Sequence, residues 1–250
     1  MVGAGTLGIC RECRESLGPW CGAACRGCGL PFASDRTLDS SLRLCARCRR
    51  QDYEFDLARS YGLYSGRLRE AILLLKFGGR ERLGGMLGGL LARIWNSDEE
   101  LQAISDSVIV PVPLDRSRER ERGFNQAALL VRGLSGRLRK NGAGLGIRVS
   151  LGCLIRTRAT VPQTGLSLPA RLENVRGVFA VECENQIRGR VAVVVDDVMT
   201  TGATLSACAG ALKRAGAVRA IGLTLARSTP QFPDVPGPNR PVDEADRKSA

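Results

Sequence analysis

Residues 191–204 read Val-Ala-Val-Val-Val-Asp-Asp-Val-Met-Thr-Thr-Gly-Ala-Thr, and this run constrains the fold more than any other part of the chain. Val191 to Val195 is a largely β-branched apolar run of the length of a buried strand. Two adjacent carboxylates, Asp196 and Asp197, follow at its C-terminal end. Thr200, Thr201, Gly202 and Thr204 then make a short hydroxyl- and glycine-rich loop. Behind it Leu205, Ala209 and Leu212 recur at helical spacing up to Gly216, a C-cap residue. Strand, acids, loop and helix in that order describe one βα unit of an α/β sheet.

Such a unit has a definite chemistry. Loop amides and the N-terminal end of the following helix aim donors and the positive end of a dipole at one spot, which suits a phosphate. Gly202 lets the backbone come close, and the threonines can add hydroxyl donors. Two carboxylates beside a phosphate would repel it unless they accept hydrogen bonds from neighbouring hydroxyls, as on a ribose, or lie near Mg²⁺. The segment therefore reads as a ribose-5-phosphate cradle. It is not a P-loop, because no Gly-Lys-Ser/Thr follows. The bland alternative is an ordinary βα turn with a Thr cap and two solvated acids.

The chain has no histidine, which excludes His-dependent triads and His metal ligands and leaves carboxylate, Lys, Cys, Tyr or the substrate itself as proton acceptor. Its 37 Lys+Arg against 25 Asp+Glu give a net charge of +12, a surface suited to phosphates or nucleic acid, or simply a basic one. Hydrophobic residues make up 44% and aromatic ones 4%, so aliphatic packing must supply most of the core. The most apolar stretch, Leu83 to Trp95, is broken by four glycines and an arginine and is no membrane span. With no signal-peptide pattern in Met1 to Cys10, a cytoplasmic protein is expected.

Seven of the ten cysteines fall in the first fifty residues, six of them as the pairs Cys10/Cys13, Cys25/Cys28 and Cys45/Cys48. Two CxxC pairs can place four thiolates around one Zn²⁺ and so stabilise a module too small for its own core. Cys25, Cys28, Cys45 and Cys48, with sixteen residues between the pairs, have zinc-ribbon spacing. Redox pairs or unmetallated thiols are the alternatives. Cys10 and Cys13 are weaker candidate ligands: they have lost their partners, use Cys21, or belong to a longer N-terminus. The expected organisation is a Cys-rich module over 1–52, an α/β domain over 53–228 and a disordered Pro-rich tail over 229–250.

Between these landmarks, Tyr61, Leu63 and Tyr64 give a weak strand pattern. Leu68, Ile72 and Leu75 mark a helix in Gly66 to Phe77, with Lys76 in its last turn, where the helix dipole alone would favour a cation. A second helix is predicted from Arg80 to Trp95. Val108 to Pro113 is a short strand whose prolines place it at a strand end or sheet edge. A basic loop with Arg116, Arg118, Arg120 and Arg122 follows, either an anion-receiving site or a solvated charge run, and a helix begins near Phe124. Arg156, Arg158, Thr160, Gln163, Arg171 and Asn174 lie in a polar segment that is a surface loop or a lid. Phe179 to Val181 and Val218 to Ala226 are the remaining predicted strands.

Taken together these stretches resemble the ComF family of competence-associated proteins, within the type I phosphoribosyltransferases. The resemblance runs to about Arg227. It rests on the cysteine pairs, Leu-Lys-Phe-Gly (Leu75 to Gly78), Pro-Val-Pro-Leu (Pro111 to Leu114) and Arg-Gly-Phe-Asn-Gln (Arg122 to Gln126). Arg-x-Arg-x-Thr-x-x-Gln (Arg156 to Gln163), Arg-x-x-Asn (Arg171 to Asn174) and the 191–204 signature complete it. One departure is the lack of a further CxxC pair before Cys10.

The resemblance implies a type I phosphoribosyltransferase fold, a twisted, mainly parallel sheet flanked by helices with a small N-terminal zinc ribbon. It implies that Asp196 and Asp197 hold the ribose 2′- and 3′-hydroxyls of phosphoribosyl diphosphate (PRPP). Thr200, Thr201, Gly202, Ala203 and Thr204 would hold the 5′-phosphate. The diphosphate, with Mg²⁺, would lie against Val110 to Pro113, Arg116 and Arg122, with Lys76 nearby. Asp196, Asp197 and Arg156 are the implied catalytic residues, Arg156 at the start of a closing loop. Implied partners are PRPP or a related phosphoribosyl ligand, and single-stranded DNA and competence proteins. A catalytically silent nucleotide- or DNA-handling protein is the alternative.

Overall fold

The structure is a computed structural model and describes residues 9–32, 43–142, 146–158 and 177–229. Its centre is a five-stranded, wholly parallel sheet in the order β1-β7-β6-β2-β3. The strands are β1 (Leu57–Leu63), β2 (Ser107–Pro111), β3 (Ile147–Val149), β6 (Val191–Met199) and β7 (Arg219–Arg227). A separate antiparallel pair, β4 (Leu154–Arg156) with β5 (Phe179–Val181), stands apart from it. The described helices are α1 (Arg11–Glu15), α2 (Ala46–Arg49), α3 (Gly66–Phe77), α4 (Arg82–Ser97), α5 (Glu99–Gln102), α6 (Arg116–Arg122), α7 (Gln126–Lys140), α8 (Glu184–Ile187) and α9 (Ala203–Arg214). None of them is long and apolar enough to cross a membrane.

Strand β6 shows why its sequence is continuously apolar. Successive side chains of a strand point to opposite faces, and a sheet covered on both sides has no polar face. Ala192 and Val194 join the core under α9, with Val108, Val110, Leu205 and Leu212. Val193 and Val195 join the other core, with Ile109, Ile221, Leu223 and the inner faces of α3, α4 and α7. Each buried Val, Leu or Ile contributes about 1.5–3 kcal/mol relative to exposure.

The sheet corrects several sequence-based boundaries. β6 continues past the two acids to Met199, because Asp196, Val198 and Met199 pair with Thr224, Ala226 and Arg227 of β7. β2 is no edge: β6 and β3 flank it, and Pro111 is harmless as its last residue, beyond the three-residue reach of β3. The second predicted helix begins at Arg82 and ends at Ser97. The basic loop of Arg116 and Arg122 is helix α6. The Asp115 carboxylate caps it by accepting from the Ser117 amide at 3.0 Å, and Gly123 at φ 81° ends it, signals hidden inside a charge run. Strand β3 had no sequence pattern to mark it.

Edge strand β1 would expose a row of unpaired backbone groups, and the N-terminal segment covers it. The Ala58 amide donates to the Gly27 carbonyl at 2.8 Å, and Trp20 N–H to the Tyr61 carbonyl at 2.9 Å. Arg59 Nη1 reaches the Arg26 carbonyl at 2.8 Å, and Tyr61 Oη the Leu17 carbonyl at 2.6 Å. Residues 230–250, assigned to the tail, lie outside the described residues.

Helices α4 and α7 meet through glycines. A Cβ at Gly88 would fall 2.4 Å from the Leu130 carbonyl oxygen, and one at Gly133 would fall 2.5 Å from that of Gly85, whereas one at Gly136 would touch nothing within 4 Å among the described residues. Gly133→Ala is therefore expected to lower stability by about 1–3 kcal/mol despite alanine's better helix propensity. Gly136→Ala is expected to raise it by about 0.5–1 kcal/mol. Urea unfolding midpoints of the two variants check both signs.

Candidate functional site

The C-terminal ends of β6 and β2 open toward α3, α6 and the start of α9, the edge at which open α/β sheets place ligands. Because side chains alternate, the two acids leave β6 on opposite faces. Asp197 turns to the α3 side, where it is 3% exposed, and its Oδ1 pairs with Lys76 Nζ at 2.8 Å. Its Oδ2 is buried without a hydrogen-bond partner among the described residues. Removing either member of such a pair leaves an uncompensated charge and costs about 3–5 kcal/mol. Loss of hydration works against the Lys76 ammonium, but Asp197 and then Asp196 outweigh it and raise its pKa.

Asp196 is half-buried on the α9 side. Desolvation first, then the Asp197 charge, push its carboxyl up to about 7 against the pull of Lys76. Its Oδ1 accepts from the Asp197 amide at 2.8 Å.

The loop that follows bends at Gly202, φ 81°, which caps α9. A side chain there would meet Met199 Cε and Tyr53 Cε1, each at 2.8 Å, so the position is closed to other residues on two grounds. Thr201 Oγ1 accepts from the Ala203 amide at 3.3 Å, and the Ser206 amide donates to the Gly202 carbonyl at 2.8 Å. Thr200 is exposed, Thr201 and Thr204 are half-buried, and Ala203 is buried. The loop thus joins a helix N-terminus to threonines open to solvent.

The rim is basic. Val112 N–H continues the β2 ladder to the Val195 carbonyl at 2.9 Å, and Asn125 Nδ2 holds the Val112 carbonyl at 3.1 Å while its side chain caps α7. That places α6 beside the site. Arg116 is exposed; Arg122 donates to Gln126 Oε1 at 3.2 Å and lies 4.9 Å above the ring of Phe77, which is 70% exposed. Arg156 sits on β4, its guanidinium 5.7 Å from the Phe179 ring. Burial lowers its pKa, and the charges of Asp115 and Arg118 act on it. Burial also raises the Cys208 thiol on α9, with Asp196 adding to the rise and Arg156 opposing it. Thr160, Gln163, Arg171 and Asn174 lie outside the described residues.

The sulfurs of Cys25, Cys28, Cys45 and Cys48 lie within 4.8 Å of one another. Cys28 and Cys45 Sγ are 3.6 Å apart, close to the roughly 3.8 Å edge of a tetrahedron with metal–sulfur bonds near 2.3 Å. The Cys45 amide donates to Cys25 Sγ at 3.3 Å. Hydrogen bonds from Cys28 and Cys48 hold Cys25 far below the ordinary thiol range. The bond to Cys25 pushes Cys28 up to about 12 and Cys48 higher still. Four sulfurs this close ionise together only around a cation, and a buried all-cysteine set fits Zn²⁺. Cys10 and Cys13 are not in the cluster; Cys10 Sγ instead accepts from the Cys13 amide at 3.4 Å as the cap of α1.

Two side chains escaped the sequence reading. Arg47 Nη1 and Tyr53 Oη donate to the Thr201 carbonyl at 2.7 and 3.2 Å, contacts that span about 150 residues of chain and leave no local pattern. The one available hint was an arginine inside the Cys45–Cys48 knuckle.

Fold and site together describe an α/β protein with an acid-and-amide cradle at the end of a parallel sheet, joined to a four-cysteine module. No family model matches the chain. It is 32% identical over 221 residues to the DNA utilization protein YhgH of Escherichia coli O6:H1, covering 84% of this chain and 92% of that one. It is 29% identical over 213 residues to competence protein F of Haemophilus influenzae, covering 84% and 86%. Competence protein ComFC of Bacillus subtilis is 28% identical over 224 residues, covering 88% and 84%. The chain belongs to the ComF family. Among solved structures, an allosteric regulatory enzyme of purine biosynthesis overlaps 57% of this chain at a TM-score of 0.34 and 22% identity; the chain spans about a quarter of it, 26%. Hypoxanthine-guanine phosphoribosyltransferase from Schistosoma mansoni overlaps 59% at 0.31 and 14% identity, the match spanning 66% of that enzyme. Neither superposition is close enough to carry the assignment, which rests on the sequence relatives.

The raised Asp196 carboxyl has a consequence for stability. With its folded pKa near 7 against an ordinary 3.8, the folded chain keeps a proton that the unfolded chain releases. Its contribution to stability therefore falls as pH rises from about 4 to about 7 and is level above that. Asp196→Asn is expected to remove that slope. Unfolding midpoints across this window check it, the variant gaining on the wild type as pH rises.

Proposed function

We propose that this protein binds PRPP with Mg²⁺ at the end of β6 and is a phosphoribosyltransferase-like protein of the ComF type. The observation that carries the proposal is the pairing of two acids with a Gly202-centred loop at one strand end, with Lys76 already seated on Asp197. In this reading the Thr200–Thr204 loop and the start of α9 receive the 5′-phosphate. Asp196 and Asp197 receive the ribose hydroxyls, and Arg116, Arg122 and Arg156 face the diphosphate. The buried Lys76–Asp197 pair suits an exchange of partners: Lys76 moves to the diphosphate, Asp197 accepts a hydroxyl, and neither charge is left alone. Mg²⁺ would supply neutralisation of the diphosphate, with Asp196 and Asp197 as the oxygen donors suited to it.

Transfer would follow a simple balance. A nitrogen nucleophile attacks C1, the C1–O bond breaks, pyrophosphate leaves with the electron pair, and the nitrogen gives up a proton. The side chains position and neutralise charge, so a chain without histidine can support it.

A second reading, contact with single-stranded DNA, has one observation of its own. Phe77 presents an exposed ring backed by Arg122 beside the arginines of α6, a pairing able to stack a base and meet the backbone. The names of the relatives, DNA utilization and competence proteins, agree with it.

Calorimetric titration of PRPP with Mg²⁺ is expected to show binding to the wild type and a loss of at least about tenfold in affinity in Asp196→Asn/Asp197→Asn. Pyrophosphate release with one nucleobase of a panel would establish the transferase. Binding without release, together with oligonucleotide affinity lost in Phe77→Ala, would favour the DNA-handling reading. No binding at all would contradict the cradle.

A further inference from the structure

Each part of the cysteine module that touches the α/β domain raises the question of what it does there. Part of it covers the edge of β1. Arg47 of α2, with Tyr53 just beyond the module, reaches the loop between Asp197 and α9, which a structural cap alone would not need to touch.

The Thr201 carbonyl takes both lone pairs' worth of donors from the module side: Arg47 Nη1 at 2.7 Å and Tyr53 Oη at 3.2 Å. A trans peptide is planar, and its carbonyl and the next amide point in opposite directions. Fixing the Thr201 carbonyl toward the module therefore turns the Gly202 amide away from it, toward the open side of the loop. Arg47 is itself held. It lies on α2 between Cys45 and Cys48, stacks 4.3 Å above the Tyr53 ring, and reaches Asp52 at 3.6 Å. Tyr53 in turn stacks on Phe55 with centroids 4.4 Å apart, and its ring edge closes the space over Gly202.

Arg227, at the end of β7, is 4% exposed, and its Nε and Nη1 have no hydrogen-bond partner among the described residues. Its charge acts on the Tyr53 hydroxyl.

We propose that the cysteine module is a working part of the phosphate cradle: Arg47, set by metal binding at Cys45 and Cys48, positions the Thr201–Gly202 peptide. Metal retention and phosphoribosyl binding are then coupled. This rests on the reading of the loop as a phosphate site. Coupling of equilibria is reciprocal, so a ligand that prefers the ordered loop must tighten the metal by the same factor that the metal tightens the ligand.

The test uses the full-length, zinc-loaded protein and ribose 5-phosphate, which needs no Mg²⁺ and cannot turn over. Zinc release to a chromogenic chelator is followed with and without the sugar phosphate, and binding is measured separately by calorimetry. Saturating ligand is expected to slow release by about tenfold in the wild type. Arg47→Met, which keeps the side-chain stem, is expected to abolish the slowing and weaken ligand binding while its zinc content stays at one per chain. Tyr53→Phe, which keeps the ring and removes one donor, should give an intermediate effect and serves if Arg47→Met does not fold. Ligand binding with no change in zinc release would overturn the coupling and leave the phosphoribosyl reading standing. Absence of ribose 5-phosphate binding would overturn both, and so mark the failure of the reading itself.

Discussion

Burial of β6 on both faces is the constraint from which the rest of the architecture follows. A strand with a core above and a core below has no solvent side, so Ala192 and Val194 must feed one core and Val193 and Val195 the other. The same alternation carries on when the sequence turns acidic. Asp196 and Asp197 are adjacent in the chain yet belong to different sides of the sheet, and each meets a different environment. Asp197 meets Lys76 from α3, while Asp196 faces α9, where burial and the Asp197 charge raise its carboxyl pKa. Both environments are products of strand geometry.

The parallel sheet also creates a problem at its margin that the N-terminal residues solve. β1 is an edge, and a module with little core of its own cannot stand free. Laying Gly27 and the Gly18–Trp20 turn against β1 satisfies the strand and gives the module a wall. Once there, α2 and Tyr53 lie within reach of the loop after β6. A covered edge and a braced loop are consequences of one docking. The loop after β6 and the cysteine module are for this reason in contact although they lie far apart in sequence.

Much of this was legible in the chain because it is local. The apolar length of β6, the acids at its end, the Gly202 loop and the helical period behind it are read within residues 191–216, and the cysteine spacing within twenty-four residues. What escaped was non-local or disguised. The end of β6 is set by pairing with β7, so no residue near Met199 marks it. Helix α6 was masked because its cap, Asp115, and its stop, Gly123, are embedded among arginines and glutamates that read as a solvated run. β3 is three residues long and mostly exposed, too short for a period to show. The contact of Arg47 with Thr201 joins ends of the fold that only the sheet brings together.

The central claim is that the loop after β6 is a phosphate-binding cradle, and its backbone amides report on it directly. Hydrogen exchange of the Thr201–Ser206 amides, with and without saturating ribose 5-phosphate, is the measurement to make. Slowed exchange confined to this segment and the turns it touches is the expected result. Unchanged exchange there, with ligand bound elsewhere or not at all, would contradict the assignment of the site.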